Sequence, residues 1–335
     1  MKKKMVLVLA LILVVASFAF AGGAKEAAGA KKDYKIAVVP KLTSIAWFQR
    51  MEVGVKEFAK ENGVDAFYTG PSEGDGALQA QAIEDLISQG VDAICVVPFS
   101  TSALEPVLKK AREAGIVVIS HEAATMTNID YDIEAFDNEE YGRHFMELLG
   151  KLTGGKGQYI FEVGSLTSES HNQWVDAAKK LQLDKFPGMS QYGDKIETAD
   201  NQSTSYSKVK EVLTANPNIV AIQGSAMPDV AGAALAVEEL GLAGKVKIAG
   251  TSLVSVAGKY VKNGTIEMIS FWDPALAGKA MIQLAIKVLD GEEIATGLDL
   301  GVTGYDNLTL EGKLLTGQAW IDVTKENVDD PAYAF

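Results

Sequence analysis

The sequence predicts an α/β fold made of two doubly wound parallel-sheet lobes, and three observations lead to this prediction. Short Val/Ile-rich runs alternate with amphipathic segments, which is typical of parallel strands whose sheet is covered by helices on both faces. Gly63, Gly90 and Gly115 each follow a helical segment, where a left-handed C-cap is favoured. The alternation pauses once and then restarts, so the chain contains two successive sets of β/α units.

The first set begins with the apolar run Lys35–Pro40, and Trp47, Met51, Val55 and Phe58 follow it at helical spacing. The same pattern predicts further strands over 64–68, 93–97 and 116–119, and helices over about 76–89 and 102–114. We expect an irregular stretch around 130–137, because apolar residues recur there at neither the helical nor the strand spacing.

The second set repeats the pattern of the first. Helices are predicted over about 138–152, from about 172, and over about 204–215 and 228–241. Strands are predicted at 159–163, near 191–197, at 219–222 and 246–249, and from about 265 to the segment 270–273. Two sets of similar size indicate two similar lobes, each with its own sheet.

The N-terminus carries the three regions of a secretory signal peptide: the basic Lys2–Lys4, the apolar Met5–Phe20, and a small-residue cleavage site that ends at Ala21. We therefore expect cleavage near Ala21 (signal peptide 1–21), followed by a low-complexity linker over 22–33. The apolar run is shorter than the roughly 20 residues of a transmembrane helix. The only cysteine is Cys95, so no cysteine stands at the cleavage site to carry a lipid, and a free periplasmic protein is expected.

Composition excludes several function classes. Removing the three N-terminal lysines with the signal peptide changes the formal net charge from −13 to −16, and such an acidic protein is poorly suited to the phosphates of nucleic acid. About 310 mature residues exceed what one core usually organises, which favours two domains. A single cysteine excludes an internal disulfide.

Polar and aromatic side chains gather where the predicted strands end. Ligands of doubly wound sheets bind outside the carboxyl ends of the strands, so two facing lobes would line a cleft with these loops. Rings stack on the C–H faces of sugars, while carboxylate, amide, hydroxyl and imidazole groups hold the hydroxyls. The candidate ligand-binding residues are Lys41, Trp47, Phe48, His121, Glu122, Ser170, His171, Asn172, Trp174, Gly224, Ser225, Ala226, Thr251, Trp272 and Asp273.

Some of these candidates also have a purely structural interpretation. Trp47 and Phe48 fit a role in packing the first helix, Lys41 that of a solvated loop residue, and Asp273 that of a helix cap.

Catalytic and metal-binding interpretations are weaker, and no catalytic residue, metal or cofactor is expected. His121 and Glu122 are sequence neighbours, as are Ser170 and His171, and neighbours on an extended loop usually point apart. The run 154–157 resembles part of a phosphate loop but precedes a strand instead of following one. The segment 200–211 has the acidic ends of a calcium loop but lacks its central glycine.

A resemblance to a known family is carried by four segments: Lys35–Lys41, Asn172–Val175, Phe271–Asp273 and Val323–Asn327. They look like the corresponding segments of the periplasmic sugar-binding proteins of ABC importers, in the branch of the autoinducer-2 and rhamnose receptors. The similarity spans about 34–328. It implies two Rossmann-like lobes joined by three crossovers, a monomeric receptor, and delivery of the ligand to a membrane permease with a cytoplasmic ATPase.

Three crossovers also imply how the chain is divided between the lobes. The N-terminal lobe is expected to contain 34–136 plus about 274–301, with the helix from about 274 to 290 returning to it. The C-terminal lobe is expected to contain 137–273 plus about 302–328.

Departures from the autoinducer-2 receptors bear on the ligand. Those receptors use a lysine after the first strand, an aspartate after the fourth, an Asp-Gln pair, and a proline and an alanine that flank an aspartate. Lys41 matches the lysine, but Glu122 stands at the first aspartate. The Asp-Gln pair is replaced by Ser170 and His171, and the last three positions hold Gly224, Ser225 and Ala226.

Glu122 thus lengthens one carboxylate, and serines stand at the other two aspartate positions. We therefore expect a small neutral sugar, a pyranose such as rhamnose or a similar monosaccharide, in preference to autoinducer-2. An autoinducer-2 receptor of the same fold, a chemotaxis-linked sugar receptor and a periplasmic sugar enzyme remain as alternatives.

Overall fold

A computed structural model describes residues 33–335 of the chain. The predicted signal peptide, and the linker apart from Asp33, lie outside the described residues. In chain order the elements are β1 (Lys35–Val39), α1 (Ala46–Asn62), β2 (Asp65–Tyr68), α2 (Gly76–Gln89), β3 (Ala93–Val96), α3 (Thr101–Glu113), β4 (Val117–Ser120), β5 (Tyr131–Glu134), α4 (Asn138–Leu152), β6 (Lys156–Val163), α5 (Glu169–Lys185), β7 (Gly188–Gln191), β8 (Ile196–Glu197), α6 (Gln202–Ala215), β9 (Ile219–Gly224), α7 (Asp229–Glu239), β10 (Lys247–Thr251), α8 (Val254–Asn263), β11 (Met268–Phe271), α9 (Pro274–Leu289), β12 (Thr309–Glu311), β13 (Leu314–Thr316), β14 (Ile321–Val323) and a 3₁₀ turn (Pro331–Tyr333).

Two sheets organise these elements, which confirms the predicted α/β fold of two parallel-sheet lobes. The first sheet has the order β12-β13-β5-β4-β3-β1-β2, and the second has the order β14-β11-β10-β9-β6-β7, with β8 paired to β6. Neighbouring strands are parallel except at one edge of each sheet, where β12 pairs with β13 and β14 with β11 in antiparallel fashion. No helix in the part of the chain that the structure describes combines the length and the apolar character of a membrane span.

Apolar side chains on both faces of the first sheet explain why its strands have continuous apolar sequences. Ile36 and Val38 of β1 belong to the core on one face, whereas Ala37 and Val39 belong to a separate apolar cluster on the other. Both faces of the sheet are therefore buried. A strand with one solvent-exposed face would instead alternate between apolar and polar residues.

The chain passes between the lobes three times. It leaves the first sheet after β5, returns to the first lobe between β11 and α9, and leaves again between β13 and β14. The first and third crossovers run side by side, because Gly317 N–H donates to Glu134 O at 2.9 Å and Ala319 N–H donates to Ala135 O at 2.8 Å.

Two expectations for these segments are wrong. The stretch around 130–137 is not irregular throughout, because Tyr131–Glu134 forms β5 in the first sheet. The segment 302–316 does not belong to the second lobe as a whole, because β13 pairs in parallel with β5 and carries β12 with it. Because β5 was not predicted, its pairing with β13 was not predicted either. The third crossover therefore lies at 317–320 instead of near 301.

Close helix packing in the first lobe depends on Gly54. A Cβ built on Gly54 in α1 would lie 2.2 Å from the carbonyl oxygen of Ala275 in α9. Real Cβ atoms do not approach backbone atoms so closely, so the two helices would have to separate.

Substituting Gly54→Ala should therefore destabilise the protein by about 1–3 kcal/mol, the usual cost of overpacking a core. Urea unfolding followed by circular dichroism measures the difference. Lys56→Ala, at an exposed position on the same helix, is the matched control and should change the free energy of unfolding by less than about 0.5 kcal/mol. Equal stability of Gly54→Ala and the wild type would show that α9 does not pack against α1.

Candidate functional site

A small cavity of about 20 Å³ lies between the lobes, where loops at the carboxyl ends of the strands of both sheets meet. Nine of the fifteen predicted binding residues line it. They are Lys41, Trp47, Phe48 and Glu122 from the first lobe, and His171, Trp174, Ser225, Thr251 and Trp272 from the second lobe and its junction with α9. Ile45, Asp200 and Met227 complete the wall.

An ion pair stands in this cavity. Lys41 Nζ lies 2.6 Å from Glu122 Oε2, and both side chains are almost fully buried. Burial alone raises the pKa of Glu122, but the positive charge of Lys41 and the neighbouring imidazoles outweigh it and lower that pKa to about 2. Glu122 is therefore ionised throughout the physiological range and accepts hydrogen bonds only.

His171 brings a neutral ring into the cavity from the second lobe. The Gly164 N–H donates to His171 Nδ1 at 3.1 Å, so the ring hydrogen is carried by Nε2. Burial, followed by the charge of Lys41, lowers the pKa of His171 well below its usual range. His171 Nε2 lies 3.5 Å from Lys41 Nζ, so two donors from opposite lobes lie side by side and suit a shared ligand oxygen.

The backbone at Glu122 adopts a left-handed conformation with φ of 63°, which is unusual for a non-glycine residue. Asp132 supports it, because Asp132 Oδ1 accepts hydrogen bonds from Ser120 Oγ at 2.6 Å and from Ala123 N–H at 3.2 Å. Such strain persists only where the surroundings impose it, and it is common where a side chain must be aimed at a ligand.

Three tryptophans form the aromatic wall. The ring centroids of Trp47 and Trp272 are 4.6 Å apart with nearly perpendicular planes, and those of Trp174 and Trp272 are 6.0 Å apart. The indole N–H of Trp272 donates to His121 Nε2, and that of Trp174 donates to Asn138 Oδ1. These hydrogen bonds fix the orientation of the Trp272 and Trp174 rings when the lobes are closed.

Asp200 and Ser225 contribute polar groups from the second lobe. Burial raises the pKa of Asp200 to about 6, with opposing effects from Lys41 and Glu122. The Ser225 hydroxyl is buried and has no hydrogen-bond partner within residues 33–335. Both groups line the cavity, so both are available to hold a polar ligand.

Six predicted residues lie outside the lining, and the structure gives each another role. His121 uses both ring nitrogens, donating from Nδ1 to Ile133 O at 2.5 Å and accepting from Trp272 at Nε2. Asn172 donates to the carbonyl oxygens of Ser165 and Ser168. Ser170 reaches the site only indirectly, by donating to Glu122 Oε2 at 3.0 Å.

The other three are structural as well. Asp273 accepts a two-pronged ion pair from Arg50 at 2.9 and 2.6 Å, and it caps α9 through Ala275 N–H. Gly224 leaves room for α7, because a Cβ there would lie 2.8 Å from Cβ of Asp229. Ala226 donates its backbone N–H to Asp229 Oδ2.

Asp200 is the polar residue of the cavity lining that sequence reasoning missed. It follows β8, the strand predicted near 191–197, so the rule that ligands bind at strand ends would have found it. Ile45 and Met227 stand beside predicted residues but carry no polar group that would have singled them out.

Direct contacts hold the two lobes together around the cavity. Thr125, in the loop after β4, donates from its backbone N–H and its hydroxyl to the carboxylate of Glu169 at the start of α5. The guanidinium of Arg50 lies 4.4 Å from the centre of the Phe335 ring, which packs against Phe271 of the second sheet. Together with Ser170 and Glu122, these contacts describe a closed arrangement of the lobes.

Comparison with known proteins agrees with this architecture. A family profile for the periplasmic binding protein domain matches residues 36–293. The D-xylose-binding periplasmic protein of Escherichia coli K12 is 27% identical over 311 residues, covering 89% of each chain. The D-allose-binding periplasmic protein of the same organism is 28% identical over 264 residues, covering 75% of this chain and 83% of that protein.

Solved structures share the fold over almost their whole length. A solute-binding protein from a Clostridium species with bound L-rhamnose superposes with a TM-score of 0.82 at 22% identity, covering 90% of this chain and 98% of that one. One from Burkholderia graminis in complex with D-arabinose gives a TM-score of 0.78 at 25% identity, covering 90% and 99%. LsrB from Clostridium saccharobutylicum with AI-2 gives a TM-score of 0.80 at 18% identity, covering 88% and 99%.

Stability should depend on pH through buried carboxyl groups. Burial raises the pKa of four of them, to about 7 for two and well above the usual range for the others: Asp132, Asp229, Glu134 and Glu162. A carboxyl whose pKa is higher in the folded than in the unfolded chain takes up protons on folding, so stability rises as the pH falls through the folded-state pKa. The buried neutral histidines, His121 and His171, oppose this trend only below about pH 6.5.

The free energy of unfolding should therefore be greater at pH 6.5 than at pH 8 by at least about 2 kcal/mol. Urea unfolding at a series of pH values measures it. Asp229→Asn keeps a hydrogen-bond acceptor but cannot titrate, so it should flatten the slope, whereas Glu113→Gln, at an exposed site, should not. A stability that falls between pH 8 and pH 6.5 would contradict the prediction.

Proposed function

The chain belongs to the periplasmic binding protein family, and from that premise we propose that it is a receptor that binds a small neutral sugar and delivers it to an ABC importer. The cavity between the lobes is the observation that supports this proposal most. It combines six polar side chains with six aromatic or aliphatic ones, and both lobes contribute to it. Sugars present the same mixture of hydroxyl groups and C–H faces.

The side chains that line this cavity best suit a deoxy pyranose such as rhamnose, bound when the lobes move apart and close again. The charges of Lys41 and Glu122 compensate each other, so the cavity suits a neutral ligand whose hydroxyls replace part of their ion pair. Trp47, Trp174 and Trp272 offer faces for a sugar ring, and the apolar Ile45 and Met227 suit a methyl group. The D-xylose, D-allose and L-rhamnose named for the similar proteins are also neutral monosaccharides.

Cellular context follows from the same proposal. We place the mature protein in the periplasm after cleavage near Ala21, as a monomer that docks on a membrane permease whose cytoplasmic ATPase drives import. The acidic composition argues against nucleic acid as a partner. A chemotaxis receptor that recognises the same closed form is the alternative partner.

A sugar-cleaving enzyme is the rival from another class. Such an enzyme needs two carboxyl groups on opposite sides of the scissile bond. Asp273 is not available for this because Arg50 and the α9 cap occupy it. Glu122 and Asp200 do share the cavity, with pKa values of about 2 and about 6, so this pair is the one that a turnover assay must test.

Calorimetric titration with L-rhamnose, D-xylose, D-allose, D-ribose and autoinducer-2 tests the proposal. We expect submicromolar binding of at least one pyranose and weaker binding of autoinducer-2, since a site built around hydroxyl groups discriminates strongly against analogues that lack them. Glu122→Gln should weaken the preferred sugar at least about tenfold, because a charged hydrogen-bond acceptor is lost.

Glu113→Gln is the matched control, because it removes a carboxylate from an exposed helix of the same lobe and should leave affinity unchanged. Sugar recovered unaltered after long incubation, as judged by NMR, agrees with a receptor, and conversion of the sugar would establish an enzyme instead. Wild-type affinity in Glu122→Gln would remove Glu122 from the site.

A further inference from the structure

Three consecutive residues at the start of α5 contact three different groups of the first lobe. The contacts join Glu169 to Thr125, Ser170 to Glu122, and His171 to Lys41. The last two contacts each involve a residue of the cavity between the lobes, whereas neither Thr125 nor Glu169 belongs to the described lining of that cavity. The first turn of α5 therefore combines contacts at the site with one contact that joins the lobes outside it.

The contact between Thr125 and Glu169 uses both oxygens of the carboxylate. The backbone N–H of Thr125 donates to Glu169 Oε1 at 2.7 Å, and the Thr125 hydroxyl donates to Glu169 Oε2 at 2.6 Å. Gln173, one turn later on α5, donates to Glu169 Oε1 at 3.1 Å and orients the carboxylate from its own lobe. Hydrogen bonds to a charged acceptor are stronger than those between neutral groups. We call the pair Thr125 and Glu169 the closure latch.

The loop that carries Thr125 is fixed to the first lobe on both sides. The Glu105 carboxylate of α3 accepts hydrogen bonds from the backbone N–H of Thr127 at 2.6 Å and from its hydroxyl at 3.1 Å. Lys313 Nζ, between β12 and β13, donates to the carbonyl oxygens of Thr127 at 2.9 Å and of Ile129 at 2.7 Å. These partners all belong to the first lobe, so the loop cannot follow α5 when the lobes separate. Opening must therefore break the closure latch.

We propose that the closure latch stabilises the closed lobes and thereby sets how fast the cleft releases its ligand. The statement about release rests on the proposed function, whereas the statement about closure does not. Because Thr125 and Glu169 stand outside the cavity lining, the latch favours the closed form by the same free energy for every ligand. It therefore lowers all apparent dissociation constants by one common factor and leaves the preference among ligands unchanged.

A distance measurement without any sugar tests the latch independently of the proposed function. Cys95 is the only cysteine and is buried, so Ser72→Cys in the first lobe and Asp194→Cys in the second, both at exposed positions, accept spin labels selectively. Pulsed EPR then measures the populations of closed and open chains. Glu169→Ala should lower the ratio of closed to open chains at least about fivefold, because hydrogen bonds to a charged group are lost. An unchanged ratio would overturn the proposal.

Release kinetics test the same latch with the sugars of the calorimetric titration. Followed by stopped-flow tryptophan fluorescence, Glu169→Ala should release every sugar that the wild type binds at least about fivefold faster, while the ratios between their dissociation constants stay within about 1.5-fold. Effects that differ from sugar to sugar would place Glu169 in the ligand site and contradict the proposal. If none of the sugars binds the wild type, the proposed function fails, and the populations measured without sugar decide whether the latch exists.

Two further variants separate the latch from a general effect on the helix. Glu139→Ala is the matched control, because it removes an exposed carboxylate from the first turn of α4 in the same lobe, and it should leave populations and release rates unchanged. Thr125→Val removes the hydroxyl donor but keeps the backbone N–H, so it should produce part of the effect of Glu169→Ala. Combined with Glu169→Ala it should add nothing, because the acceptor is already gone. Fully additive effects of the two substitutions would show that the residues do not act as one latch.

Discussion

The ion pair between Lys41 and Glu122 is the interaction on which the candidate site depends. Both charges lie between the lobes with almost no exposure to water, where desolvation offsets much of their mutual attraction. Their closest polar neighbours across the cleft, Ser170 and His171, come from the second lobe. Glu122 therefore accepts the hydrogen bond from Ser170 only when the lobes are together, which couples the chemistry of the site to the arrangement of the lobes.

The three crossovers allow that coupling to operate. The first and third lie side by side and share backbone hydrogen bonds between Gly317 and Glu134 and between Ala319 and Ala135. The second contains Trp272, whose ring packs against Phe136 of the first crossover at 5.1 Å. A rotation about these strands therefore moves Trp272 relative to Trp47, so movement at the hinge changes the aromatic wall of the cavity.

Sequence reasoning predicted the repeated units and most of the cavity wall, because apolar periodicity and strand ends are local signals. It failed where a role depends on a distant partner. Asp273 occupies a strand end like the binding residues, but Arg50, 223 positions away, determines its role. Likewise β13 has few residues of its own, and its place in the first sheet follows from pairing with β5. Neither partner can be identified from local periodicity.

The central claim is that a ligand closes two lobes around a site to which each contributes. Small-angle X-ray scattering of the mature protein, with and without a saturating concentration of the pyranose that binds best, tests it most directly. The account predicts a smaller radius of gyration with the sugar, because a ligand that contacts both lobes binds the closed form better than the open one. An identical radius with and without bound sugar would mean that the cavity is a preformed pocket and would contradict the account.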